Sequence, residues 1–515
     1  MMKKIFGIYR FASGDYADHS EQEARFEDER VCLTLHGHAV YDGRRIDPSA
    51  LSELYLRNGR ALTEKLGGLY ILVIYDKREK KLLVFQDRAT SPVTLYYLQD
   101  HDALLLATSL KTLLSHSSLT RKLNERAVET FFINGFVYGK ETLIDGVYKL
   151  APYCGLIAEK GEVGQFRASY RLSEYSKGQA LDRFKPVLDQ AIEKAADGEE
   201  IDLPLSSGYD SSYIAHVVSK GGDRKIRAFS VGGKHGKNEL PLVEKNIAYF
   251  PNVELVSALT TRETYQCLPD IVERLEGATF ESGIFLQYEL MKLAEENGVR
   301  TLICGECADQ VFNPYYYKTD RIFPDRENGD TYYEFSEYPY IFGTQLILKK
   351  SGILANSFGI ETRYPYLDEE LVLLSEPLGE INGKDKRCHV ANCKECLPEE
   401  VLRNISKQGG ATECRSLFEN DGEIRRFFAE TEQTDFYRKH AALINAHSYV
   451  EKEKQTGIAL IKTKLRTFLL DLMHIGTESR RQQARFIEEI KLREYLCVAY
   501  LAEFEKKFVT GQVAE

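Results

Sequence analysis

No stretch of this 515-residue chain is apolar for long enough to span a membrane. The start, Met1-Met2-Lys3-Lys4-Ile5-Phe6-Gly7-Ile8-Tyr9-Arg10, opens like a secretory signal, but Arg10 cuts its apolar run short. Nor is there a long run of lysine and arginine, and 78 acidic against 68 basic side chains leave a formal charge of −10. Phosphate backbones are gripped by clustered basic side chains, so nucleic acid is not an expected partner. Ten cysteines spread over this length make no small-domain disulfide framework and suit a reducing cytoplasm. Internal repeats and low-complexity tracts are missing too. What is left is room for two or three domains, each able to bury its own core.

The chain reads in sections. Residues 1 to about 175 are rich in strands, including Leu69 to Tyr75 and Lys81 to Phe85, which the charged turn Asp76 to Lys80 joins into a hairpin of a largely buried sheet. From Lys177 the pattern becomes helical, with Leu181, Phe184, Leu188 and Ile192 on one face. Strands are then expected at Ile201 to Leu205, Ile226 to Val231 and Val299 to Cys304, with helices between, such as Leu286 to Asn297. That alternation implies a doubly wound parallel sheet with ligands at the carboxyl ends of its strands. The end of the chain is helical by pattern, from Ile458 to Met473 and through Phe486, Ile490, Leu496, Leu501 and Phe504.

The strand Ile201 to Leu205 empties into Ser206-Ser207-Gly208-Tyr209-Asp210-Ser211-Ser212. A helix carrying Tyr213, Ile214, Val217 and Val218 follows, so the turn sits where unpaired N–H groups and the helix dipole attract anions. Ser206, Ser207, Ser211 and Ser212 can add hydroxyl donors, Gly208 allows close backbone approach, and Asp210 can hold Mg²⁺ against phosphates. The segment by itself also fits a plain serine-rich turn. No lysine follows it, which argues against a P-loop and for cleavage between the α- and β-phosphates. A second acid-bearing turn, Cys304-Gly305-Glu306-Cys307-Ala308-Asp309, closes a later strand. If both turns share one sheet edge, Asp210 and Asp309 can grip one Mg²⁺; alone, Asp309 reads equally as a helix cap.

The first turn resembles the pyrophosphate loop of ATP pyrophosphatases, Ser-Gly-Gly-x-Asp-Ser, with Ser207 in place of the first glycine. That loop, followed in order by Phe229-Ser230-Val231-Gly232, Gly305-Glu306-Cys307-Ala308-Asp309, Glu361-Thr362-Arg363-Tyr364-Pro365-Tyr366-Leu367-Asp368 and Lys407-Gln408-Gly409, resembles the synthetase domain of class B asparagine synthetases. Gly67-Gly68-Leu69, Tyr75-Asp76, Asp87-Arg88, Pro92, Leu95-Tyr96-Tyr97 and Ala107 to Lys111 are similar to their N-terminal domain. The resemblance implies an α/β chain in two parts. Residues 1–175 form a degenerate glutaminase domain, an Ntn-hydrolase-like αββα sandwich, and residues 176–515 an ATP-pyrophosphatase domain whose residues 415–515 are a helical extension. It implies ATP and Mg²⁺ as cofactors, with Ser206 to Ser212 around pyrophosphate, Asp210 and Asp309 on Mg²⁺, and Ser230 and Val231 at adenine, beside Gly305. Lys407 matches the family's catalytic lysine, and Glu306 a residue that takes the amine's proton or orients the substrate. Glu361 and Arg363 are read as a buried structural pair beneath the site.

One departure matters most. Glutamine-using members present a cysteine directly after the initiator, because its thiol attacks glutamine; here Met2 stands in that place, and a thioether is no nucleophile. Cys32, the nearest thiol, falls in an expected strand. The chain is therefore similar to the glutaminase-dead branch, the lasso-peptide cyclases, β-lactam synthetases and carbapenam synthetases. These adenylate a carboxylate and let an amine of the same molecule attack it, where an effective molarity of about 10⁵ M or more replaces free ammonia. An α-amine, roughly a tenth neutral at pH 7, is an easier nucleophile than a lysine amine. The expected reaction is ATP-dependent amide formation, in the first instance lasso-type isopeptide closure of a peptide. A small-molecule amide or β-lactam synthetase, an ammonia-using asparagine-type enzyme and a non-catalytic nucleotide-binding relative stay open. A leader-peptide-binding protein or protease would accompany the first. Cys388, His389, Cys393 and Cys396 have near-zinc spacing but read better as small side chains on a helix face, and Cys304 with Cys307 as replacements for small residues. The tyrosine-rich stretch from Tyr315 to Tyr340 reads as an insertion over the cleft, a peptide-binding wall or a packed loop.

Overall fold

The computed structural model describes residues 4–20, 25–87, 93–137, 139–168, 173–220, 224–234, 238–313, 339–383, 385–405, 414–448 and 476–511, and side chains over these except in 339–346 and 476–488. Met2, Lys407, most of the tyrosine-rich stretch and the expected helix Ile458 to Met473 lie outside the described residues.

The N-terminal half is a four-layer sandwich. One antiparallel sheet runs Tyr148–Lys149, Tyr96–Asp100, Ala103–Ala107, Phe6–Arg10, Tyr16–Asp18. The other runs Glu162–Arg167, Cys154–Glu159, Lys81–Gln86, Gly67–Asp76, Val31–Tyr41, Arg25–Glu27, with Arg44–Ile46 also on Val31–Tyr41. The long apolar run Leu69 to Tyr75 explains the layering, because successive side chains of a strand point to opposite faces. Ile71, Val73 and Tyr75 pack with Tyr9, Leu104 and Leu106 between the sheets, while Tyr70, Leu72 and Ile74 pack outward with Leu51 and Tyr55 of the helix Pro48–Asn58. The expected hairpin is present with Asp76 opposite Lys81. Burial pushes the Cys32 thiol in Val31–Tyr41 up to about 11, so it carries no ready thiolate.

In the C-terminal half, Glu200–Pro204, Lys225–Gly232 and Val253–Leu259 pair in parallel, as do Thr301–Ile303 and Glu361–Arg363. Glu200–Pro204 lies beside Thr301–Ile303, so the chain starts in the middle, winds outward to one edge, then returns and winds to the other. The reversal falls between those two strands, and a crevice opens at such a point at the carboxyl ends. Both acid-bearing turns leave from there. Two strands escaped the sequence reading: Val253–Leu259, an edge strand with no fully buried residue, and Glu361–Arg363, three residues long. The correction extends to Glu361 and Arg363, which form no buried pair. Glu361 is exposed, and Arg363 reaches Glu361, Asp197 and the Ala195 carbonyl at the sheet edge.

The two halves are joined by Glu276, whose buried carboxylate accepts from Ser109 Oγ at 2.8 Å and Leu110 N at 2.5 Å, at the start of the helix Leu110–Ser115. Orphan N–H groups at a helix start are natural partners for such an acid. Among the described residues, no helix is long and apolar enough to cross a membrane.

Candidate functional site

Leu203 and Leu205 are buried in the sheet, and Gly208 caps the helix Tyr209–Ser219, so the turn between them is pinned at both ends. Within it, Ser211 Oγ accepts from Ser206 N at 3.1 Å and lies 2.9 Å from Ser206 Oγ, which accepts from Gly208 N at 3.2 Å. Ser207 is held against Glu239, which itself lines the cavity described below. Wholly buried, it donates from N and Oγ to Glu239 Oε2 at 3.2 and 3.0 Å. Ser212 is buried as well, and neither residue lines the cavity described below. Of the turn's serines, Ser206 and Ser211 line it.

The second turn follows Thr301–Ile303. Cys307 takes a left-handed φ of 73° and starts the helix Ala308–Phe312, whose first turn holds Asp309. Gly305 sits where the turns meet: a Cβ there would lie 3.1 Å from Ser211 N and 3.3 Å from Ser211 Cα. Gly305→Ala should part the turns by a few tenths of an ångström and cost about 1–3 kcal/mol, read as a lower denaturation midpoint with weaker nucleotide binding. Unchanged binding would show that the close approach is incidental. Burial pushes both Cys304 and Cys307 thiols well up, which is contrary to redox or ligand chemistry at this turn.

Asp210 and Asp309 come together across one cation, and that cation belongs to the chain. Lys386 Nζ lies 2.8 and 2.7 Å from the two oxygens of Asp210 and 2.7 Å from Asp309 Oδ1. Its side chain is only 7% exposed. Burial alone would lower its pKa, but the two carboxylates outweigh that and raise it. Burial likewise works against ionised Asp210, and Lys386 and His389 overcome it, holding this carboxyl well below the usual range. His389 Nε2 is 3.0 Å from Asp210 Oδ1. Nothing in the local sequence marks Lys386, which itself takes a φ of 52° just before the helix Arg387–Cys396.

A cavity of about 370 Å³ opens beside these groups. Ser206, Gly208, Asp210, Ser211, Gly305 and Asp309 bound one end; Ser230, Val231, Gly232 and Gly233 lie along the strand end Lys225–Gly232; Leu286, Leu290 and Ile347 give it apolar wall. Glu306 also faces it and accepts from Gln287 Nε2 at 3.3 Å, which leaves Gln287 Oε1 buried without a partner. Lys350, another residue the sequence reading passed over, lines the cavity with its ammonium 2.7 Å from Glu281 Oε1. The arrangement offers backbone donors at a helix start, a cation seat bounded by two carboxylates, an apolar slot and a carboxylate opposite. Two carboxylates that converge on an ammonium are also the hard oxygen donors that would suit a divalent ion. Among the described residues no three His, Cys, Asp or Glu side chains are grouped to hold a metal. Instead Cys393 Sγ packs 3.6 Å from His389 Nε2.

The asparagine synthase family profile matches residues 183–331, and a glutamine amidotransferase domain profile matches residues 4–170. A "Probable asparagine synthetase (glutamine-hydrolyzing)" of Dictyostelium discoideum is 21% identical over 427 residues, 74% of this chain and 70% of that protein. "Asparagine synthetase B (glutamine-hydrolyzing)" of Escherichia coli strain K12 is 20% identical over 365 residues, 66% of this chain and 59% of the relative. Among solved structures, an allosteric regulatory enzyme of purine biosynthesis is 10% identical, covers 50% of this chain and 74% of its own, and has a TM-score of 0.22, too slight a likeness to bear on the fold. Both profiles match in this order, so the chain is similar to the asparagine synthase family over residues 183–331 and to glutamine amidotransferase domains over residues 4–170.

Proposed function

We propose that the protein is an ATP-dependent, AMP-forming carbon–nitrogen ligase without glutaminase activity. The observation that carries this reading is the convergence of Asp210 and Asp309 on one cation position beside the turn Ser206–Ser211, at the mouth of the cavity. A substrate carboxylate oxygen attacks the α-phosphorus of ATP, the bond to the bridging oxygen breaks, and pyrophosphate leaves with the electron pair. An amine nitrogen then attacks the acyl carbon, AMP departs, and the nitrogen's proton passes to Glu306. Backbone N–H groups at Gly208 and the hydroxyls of Ser206 and Ser211 receive the phosphates; Ser230 and Val231 border adenine; Lys407 offsets charge at the α-phosphate and then at the tetrahedral oxygen. Asp210 and Asp309 would hold Mg²⁺, which when bound neutralises the departing pyrophosphate.

Met2 in place of a nucleophilic cysteine supports an amine supplied by the substrate itself, and lasso-type closure of a peptide, in natural-product biosynthesis, is the specific form we favour. An asparagine-synthetase-like reaction is the second reading, supported by the named relatives and by Glu306, the residue type that the resemblance to asparagine synthetases implies at this turn. ATP consumption and pyrophosphate release, measured with candidate peptides, with aspartate and ammonium, and with or without glutamine, decide between them. Glutamine should give no stimulation, and Lys407→Ala should lower pyrophosphate release about 10²–10³-fold. Glutamine-dependent turnover overturns the reading of Met2; full release by Lys407→Ala in a protein that still binds ATP overturns catalysis by this site.

A further inference from the structure

His389 touches the acid pair without being part of either turn. It lies in the first turn of the helix Arg387–Cys396, and its side chain is wholly buried. Rings from three elements enclose it: Phe312 at 5.3 Å between centroids, Tyr366 edge-on at 5.4 Å and Tyr213 edge-on at 5.7 Å. Phe312 belongs to the helix that carries Asp309, and Tyr213 to the helix that carries Asp210. Tyr366 donates its hydroxyl to the Asp210 carbonyl at 2.9 Å, so the same cage also holds the backbone of that residue. Cys393, one turn along, closes the remaining side at 3.6 to 3.9 Å from the ring nitrogens.

An imidazole caged this way is held in place, and the nearest partner of its Nε2 is Asp210 Oδ1 at 3.0 Å, ahead of the Tyr366 hydroxyl at 3.5 Å and Cys393 Sγ at 3.6 Å. An aspartate's terminal torsion is otherwise broad, so a fixed donor on one oxygen sets the direction of the other. Partners behind a metal-binding side chain commonly govern its affinity in this manner. We propose that His389 is a positioning residue that holds Asp210 Oδ1 and, through its contact with Phe312, ties that carboxylate to the helix of Asp309, so that the two acids keep one spacing whether an ammonium or a divalent ion lies between them.

The proposal rests on the reading that Asp210 and Asp309 hold a divalent ion with ATP, and its test separates the two. His389→Leu keeps much of the volume and removes the N–H; His389→Gln returns an N–H at a similar reach. Mn²⁺ binding to the full-length protein in the presence of ATP is followed by electron paramagnetic resonance, together with KM and kcat for ATP. His389→Leu should weaken Mn²⁺ binding about tenfold or more and raise KM for ATP, and His389→Gln should regain most of both. Wild-type Mn²⁺ affinity in His389→Leu overturns the proposal alone, as does equal impairment of the two variants, which marks a merely structural role. A wild-type protein that binds ATP but no Mn²⁺ overturns the metal reading with it. If His389→Leu does not fold, the imidazole nitrogen spectrum decides: the Nε2 resonance absent from His389→Gln should shift when Mg²⁺ and ATP are added to wild type, and a resonance that stays still overturns the proposal.

Discussion

Asp210→Asn, which keeps the side chain's shape and removes its charge, lowers ATP-dependent pyrophosphate release by about a hundredfold or more. Asp210 is the centre of the network: Lys386 contacts both of its oxygens, His389 one of them, and Tyr366 its carbonyl. The amide oxygen of asparagine binds a divalent ion weakly, and its NH₂ group presents a donor to Lys386, which has only donors to give. Asp309→Asn removes the other acid but leaves Lys386 paired to Asp210, so its loss is the smaller of the two. Both side chains act through a shared cation, and the double variant is therefore little worse than Asp210→Asn alone. Steady-state pyrophosphate release by the three variants checks this, with ATP binding measured alongside. Additive losses would mean that the acids serve separate ions or separate steps.

How much of this was legible beforehand follows from what each residue depends on. The hairpin and the burial of its sheet could be read in Leu69 to Tyr75, because an unbroken apolar strand needs both of its faces covered, while the sandwich itself came from the resemblance. Both acid-bearing turns could be read because strand, turn and helix lie in one continuous stretch, and their meeting follows from the winding of a parallel sheet. Lys386 could not. It joins Asp210 across 176 residues, and a lysine before a short helix carries no local sign that its ammonium will be buried between two acids. Val253–Leu259 was missed for a related reason: at a sheet edge its side chains stay half exposed, so apolar and polar residues mix without the period of a strand. Ser207 depends on the same kind of contact: its buried hydroxyl is held by Glu239, a partner 32 residues on that itself lines the cavity. Contacts made across the chain decide which of two chemically similar serines faces the cleft.

The same dependence makes Lys386→Met the most damaging single change expected for stability. Methionine fills the space of the lysine stem but brings no charge, so Asp210 is left with His389 alone and the partly enclosed carboxylates repel one another. Breaking a buried ion pair by removing one partner typically costs about 3–5 kcal/mol, and the half-exposed position of Asp309 puts this case at the lower end, about 3 kcal/mol. Arg403→Ala is the control, because Arg403 and Glu399 pair in full view of solvent and their loss should cost about 1 kcal/mol or less. The pH dependence gives the cause away. Asp210 has its pKa lowered in the folded chain, so its share of stability is present above the ordinary aspartate value of about 3.9 and is lost as pH falls through the folded value. Lys386 has its pKa raised, so its share is present below about 10.4 and is lost only as pH rises through the higher folded value. Urea midpoints of wild type and Lys386→Met should thus differ by a constant amount between about pH 5 and pH 9 and draw together below about pH 4. A difference that persists undiminished into acid would assign the loss to packing of the lysine stem instead of to its charge.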